Sequence, residues 1–220
     1  MRKPNFMRSF KIILVVFLIT FSSGFSQIPT DFLPKEFHKS RRAALRAKMP
    51  LNSVTVVFSN PLRNRANDVD YVFHQDPNFY YLTGYREPNA VLVLFSEFQT
   101  DENGVTYNEI LYVQEKDASA EQWNGKRMGI EGAKSDLGFE IAKNANDFAK
   151  SNIDFKKFDR IFVEKFMDDY RNSSNKSAEV FDLVRSFKER AGYNAKNFLS
   201  PMKKQIYELV KTTTIENSAN

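Results

Sequence analysis

The chain has 220 residues, a formal net charge of +5, a hydrophobic fraction of 42% and no cysteine. Lack of cysteine excludes a disulfide framework, a thiol nucleophile and a lipid-bearing cysteine. The basic side chains are interspersed with acidic ones and form no stripe with interleaved aromatics, which argues against nucleic-acid binding.

Residues 1–26 read as a secretory signal peptide. Arg2, Lys3, Arg8 and Lys11 form a basic start, Ile12 to Phe21 an apolar run, and Gly24-Phe25-Ser26 a small-residue cleavage site before Gln27. The apolar run is shorter than the roughly 20 residues of a spanning helix, so the reading is cleavage and export, periplasmic or extracellular, with no stable membrane anchor. Removing these four basic residues takes the formal charge from +5 to +1 and leaves 194 residues, enough for one sizeable core. With 21 Phe and 9 Tyr, that core is expected to be aromatic-rich.

Pro34 to Met49 reads as an amphipathic helix opened by Pro34, with Phe37, Ala44, Leu45 and Met49 on one stripe. Lys39, Arg41, Arg42, Arg46 and Lys48 are expected on a solvated face, and His38 at the surface or its boundary. Val54 to Phe58 reads as a strand buried on both faces. Asn60 to Asp70 is polar, opens with Asn-Pro and reads as a loop.

Asp70 to Phe95 organises the rest of the chain. Asp76 can cap a short helix that begins at Pro77, and Gly84 suits the turn that ends it. Phe79, Tyr81 and Leu82 are expected in the core. Glu87-Pro88 forces extended backbone before the apolar strand from Ala90 to Phe95. His74 reads as a hydrogen-bonded structural imidazole in preference to a metal ligand.

Glu109 to Val113 reads as a second strand, joined to the first through the Asp101-Glu102-Asn103-Gly104 turn. One helical turn follows over Asp117 to Gln122, and then Trp123-Asn124-Gly125-Lys126-Arg127-Met128-Gly129. Ser135 to Gly138 reads as a turn, Glu140 to Lys150 as a short helix and Arg160 to Glu164 as a strand. Ser177 to Ala191 reads as a helix with Val180, Phe181, Val184, Phe187 and Lys188 near one face and Gly192 as its stop. Asn172 and Asn175 head glycosylation triplets by pattern, a signal too common to carry weight.

Two of these stretches carry a resemblance. F-H-Q-D-x-N-F-x-Y-L-x-G-Y-x-E-P-N-A-V-L-V-L, from Phe73 to Leu94, resembles the amino-terminal domain of Xaa-Pro aminopeptidases (aminopeptidase P). The W-x-G-x-R-x-G stretch from Trp123 to Gly129 is similar to the same family and lies at its distance after the second strand. The resemblance implies an α/β fold, a mixed β-sheet flanked by helices, over residues 31–199. Residues 200–220 would then begin a linker to a catalytic pita-bread domain absent from this chain. That domain would hold two Mn2+ through two Asp, one His and two Glu, and would remove the residue preceding proline from peptides with proline at the second position. Two such ions generate a bridging hydroxide and polarise the scissile carbonyl. The resemblance also implies homo-oligomer contacts and a role in shaping the mouth of the peptide cleft.

Within this chain the expectation is of no catalytic residue, no metal ligand and no cofactor. No histidine follows His74, and neither His38 nor His74 has a partner at H-x-x-H or H-E-x-x-H spacing. Asp68/Asp70 and Asp168/Asp169 read as solvated turn residues. No nucleophile elbow or phosphate-binding glycine loop is present. The resemblance places Trp123 and Arg127 at a substrate-pocket edge, where an indole packs on a peptide's apolar groups. The other reading of Trp123 is a ring that plugs the core. A second function class stays open too: a stand-alone, non-catalytic peptide-binding or assembly module.

Overall fold

A computed structural model of the chain describes residues 32–163 and 178–192. The architecture below is that of the unit that begins at Leu33. The signal-peptide reading, Glu164, Asp168, Asp169, both glycosylation triplets, Ser177 and the expected linker lie outside the described residues.

Helix α1 (Lys35–Lys48) leads into strand β1 (Ser53–Phe58). A short hairpin follows, β2 (Asn64–Ala66) and β3 (Val69–Asp70), then helix α2 (Pro77–Thr83). Strands β4 (Val91–Thr100) and β5 (Thr106–Val113) form the long central hairpin. Helices α3 (Ala118–Asn124) and α4 (Gly129–Ser135) precede strand β6 (Ala142–Asn144) and two 3-10 turns, Ala145–Lys150 and Phe155–Lys157. Strand β7 (Arg160–Val163) and helix α5 (Val180–Ala191) complete the described order.

The main sheet runs β6-β5-β4-β1-β7. Strand β4 is antiparallel to both β1 and β5, while β7 and β6 join the two edges in parallel. This is the expected mixed sheet. Its centre is buried on both sides because strand side chains alternate between faces. Val91, Val93 and Phe95 point towards Phe148, Phe155, Leu183 and Phe187. Leu92 and Leu94 point the other way, towards Leu45, Phe79, Leu82, Ala133 and Phe139. Helices α1, α2 and α4 therefore cover one face, and α5 with the 3-10 turns covers the other. The β4–β5 turn forms where Asp101 predicts it, its carboxylate accepting from the backbone N–H of Asn103 and Val105, each at 2.9 Å.

Six local expectations need correction. Arg42 is wholly buried at 0% exposure and His38 at 2%, so the inner face of α1 is partly polar. The long arginine stem lies among apolar groups while its head finds a carboxylate, which hydropathy alone does not reveal. The Asn60–Asp70 stretch contains the β2–β3 hairpin. Residues 140–150 divide into β6 and a 3-10 turn because Ala142 to Asn144 pairs in parallel with Leu111 to Val113. Helix α5 starts at Val180 and turns Val180, Leu183, Phe187 and Ala191 inward, leaving Phe181, Val184 and Lys188 half-buried. In α2, Phe79 and Leu82 are core, but Tyr81 is only half-buried. The ring that fills the inner position is Tyr85, which packs edge-on to Phe79 at a centroid distance of 6.3 Å.

Candidate functional site

The loop that carries the candidate site begins where β5 leaves the sheet. Asp117 caps α3, accepting from Ser119 and Ala120 N–H at 2.9 and 3.2 Å, so the chain turns outward immediately after the strand. Helix α3 has no buried residue, and Trp123 near its end is 86% exposed. The core reading of Trp123 is thereby excluded. Its indole stands on the surface.

The other end of the loop is fastened from within. Arg127 is half-buried and donates from Nη1 to the Glu115 carbonyl at 2.9 Å, so it braces the loop back against the end of β5. The Glu115 carboxylate in turn accepts from Asn144 and Asn146 side-chain amides at 3.4 and 3.2 Å. Gly129 has a φ of +63°, and a β-carbon there would come within 2.8 Å of the Lys116 side chain. A larger residue would meet strain and crowding together at this position.

Glu87 makes the central attachment. One carboxylate oxygen accepts from the Met128 backbone N–H at 2.6 Å and the other from the Tyr85 hydroxyl at 2.9 Å. The same Tyr85 oxygen accepts from the Gln114 N–H at 3.3 Å. Burial, and after it the charge of Glu87, pushes the Tyr85 hydroxyl well above its ordinary value, so it stays protonated and donates. Gln75 ties in the turn below: its side-chain amide donates to the Glu87 and Tyr85 carbonyls at 2.8 and 3.2 Å. Sequence reasoning missed this set. The signal was a carboxylate a few residues before the buried apolar run Val91 to Phe95, a place where it needs partners.

Gln75 also connects to a second surface feature. Its Oε1 accepts from the Asn60 N–H at 3.0 Å, beside a concavity of about 470 Å³ lined by Asn60, Pro61, Arg63, Tyr71, Val72, Phe73 and His74. His74 is exposed, so it is not the structural imidazole expected of it. His38 has that role. Its Nδ1 lies 2.9 Å from the Tyr81 carbonyl, which can only accept, so Nδ1 carries the proton. Burial, chiefly, lowers the His38 pKa; the Tyr81 carbonyl opposes this and the Arg42 charge adds to it.

Among the described residues no group of three or more His, Cys, Asp or Glu side chains could hold a metal ion. With His38 engaged by a carbonyl and Asp68 and Asp70 exposed on the hairpin, these residues do not fit the manganese pair that the resemblance implies, and we derive no step through it. What the arrangement offers is a fastened loop that holds an indole out from the domain.

Comparison with known proteins gives this geometry a family. Residues 38–157 match the family described as aminopeptidase P, N-terminal domain. The Xaa-Pro aminopeptidase of Haemophilus influenzae is 38% identical over 117 residues, 53% of this chain and 26% of that protein. Xaa-Pro aminopeptidase 3 of Homo sapiens is 39% identical over 97 residues, 44% of this chain and 19% of that protein. The match therefore spans about a quarter or less of these relatives' length. Among solved structures, aminopeptidase P from E. coli with the inhibitor Pro-Leu superposes with a TM-score of 0.56 at 26% identity, over 76% of this chain and 35% of that one. The Pseudomonas aeruginosa aminopeptidase PepP gives 0.52 at 32% identity, over 60% and 29%. Family match, sheet topology and superposition agree: this chain belongs to the aminopeptidase P N-terminal domain family.

Proposed function

We propose that the chain is the amino-terminal domain of an exported Xaa-Pro aminopeptidase-like dinuclear metallopeptidase. In this reading it shapes the mouth of a cleft for peptides with proline at the second position, with Trp123 and Arg127 at the pocket edge. The manganese pair and the groups that cleave the peptide are assigned to the part of the relatives that this chain does not cover. An oligomer would bring the Trp123 loop of one subunit to the cleft of another.

One observation carries the proposal. Trp123 stands 86% exposed on a loop fastened at Glu87, Glu115 and Asp117, where a core function for the ring is excluded. An exposed indole on a braced loop suits packing against proline and other apolar groups, since it adds contact area at little entropic cost.

The test compares two proteins on an Xaa-Pro peptide with manganese added. The 220-residue chain is expected to release no amino acid, and a longer protein read from the same frame is expected to release it. Release by the chain alone would overturn the division of labour. A stop codon directly after Asn220 would favour the stand-alone module.

A further inference from the structure

The loop bearing Trp123 reaches the domain through a carboxylate far from it in sequence. Glu87 follows the α2 turn, forty-one positions before Met128. Its two oxygens are divided between the Met128 N–H, at the start of α4, and the hydroxyl of Tyr85, a ring with 0% exposure. Met128 is the residue that enters α4, so its N–H belongs to the orphan donors of a helix start. Met128 itself brings no side-chain cap to that start. The Glu87 carboxylate supplies an acceptor from another element.

We propose that Glu87 is a positioning residue that fixes the Trp123–Gly129 loop, holding Met128 to the buried Tyr85 and thereby setting how Trp123 is presented. Two features support a positioning role over simple packing. A hydrogen bond to a charged acceptor is stronger than a neutral one and depends on direction. The Tyr85 hydroxyl also holds the carboxylate from the other side and is itself tied to β5 through Gln114 N–H. The loop is thus registered against the end of the central hairpin at two adjacent residues, Arg127 through the Glu115 carbonyl and Met128 through the Glu87 carboxylate. The functional weight of this pin rests on the proposed peptide-cleft reading. The pin itself does not.

The chain contains a single tryptophan, so Trp123 fluorescence reports on this loop alone. In the full 220-residue chain, Glu87→Ala is expected to speed hydrogen exchange of the Met128 amide by roughly ten- to a hundredfold, the ratio for losing a bond to a charged acceptor. Amides of Ile110 and Leu111 should be unchanged, and Trp123 anisotropy should fall. Glu87→Gln keeps an acceptor oxygen and should restore most of the protection; Tyr85→Phe leaves the Met128 bond and should loosen it less. Unchanged Met128 exchange in a folded Glu87→Ala chain would overturn the proposal. So would a Met128 amide that already exchanges freely in the parent, a result that needs no variant to fold. In the complete peptidase, Glu87→Ala is expected to raise KM with kcat nearly unchanged. If neither Glu87→Ala nor Trp123→Ala altered KM while Met128 protection behaved as expected, the pin would stand and the peptide-cleft reading would fall.

Discussion

The Arg42 guanidinium and the Glu109 carboxylate form a two-pronged ion pair across α1 and β5, with Nη2 to Oε1 at 3.0 Å and Nε to Oε2 at 3.1 Å. Arg42 is wholly buried, lies 3.9 Å over the Phe139 ring and gives Nη1 to the Leu82 carbonyl at 2.9 Å. Arg46 shares the second carboxylate oxygen. A buried pair of this kind adds little over a well-packed apolar replacement, but breaking one side of it leaves a charge without its partner.

Glu109→Leu is therefore expected to destabilise the chain by about 3–5 kcal/mol in urea unfolding. Arg42→Met should cost less, because Glu109 keeps Arg46. The double variant Arg42→Met/Glu109→Leu should recover part of the loss. A Glu109→Leu chain as stable as the parent would show that the pair does not hold α1 to the sheet.

Phe79 and Tyr81 lie two residues apart in α2 and should respond oppositely. Phe79 has 0% exposure, and Phe79→Ala is expected to cost about 3–5 kcal/mol through the cavity it leaves. The Tyr81 hydroxyl is buried without a hydrogen-bond partner, so Tyr81→Phe should be neutral or stabilising by about 1 kcal/mol. Thermal unfolding of the two variants checks both; a marked loss from Tyr81→Phe would show that the hydroxyl is satisfied.

His38 gives the stability a pH dependence. In the unfolded chain its imidazole titrates near the ordinary 6.5, whereas burial among Phe37, Tyr80 and Tyr81 and the nearby Arg42 charge hold it neutral to lower pH when folded. The unfolded state thus binds more protons as pH falls, and stability should decline from about pH 6.5 downward until the folded ring also protonates. A chain carrying His38→Gln should show a flatter profile over that window. Identical slopes in parent and variant would contradict the assignment.

What the sequence made legible was local. Asp76 caps α2 by accepting from Phe79 N–H at 2.7 Å, and Gly84 ends it at a φ of +72°, as residue type and spacing alone predict. Gly84 also lies where a β-carbon would meet the His38 ring at 2.8 Å, a second demand that no local pattern shows. The features that escaped are long-range. The burial of Arg42 depends on Glu109, sixty-seven residues away, and the role of Glu87 depends on Met128. Strand β6 is a three-residue parallel edge, too short for alternation to register, and its pairing with β5 is what defines it. Trp123 was ambiguous because a tryptophan's composition signal is the same in a core and in an interface. Only the outward turn of α3 distinguishes the two.

The most direct test of the proposed peptide-cleft role is the KM for an Xaa-Pro peptide measured in the longer peptidase which that proposal implies, carrying Trp123→Ala. With 86% of the residue exposed, its removal should leave the unfolding midpoint of the chain nearly unchanged, in contrast to Phe79→Ala. KM is expected to rise about fivefold or more, the loss expected when a contact aromatic is truncated, at similar kcat. An unchanged KM, or a destabilisation equal to that of Phe79→Ala, would contradict that role.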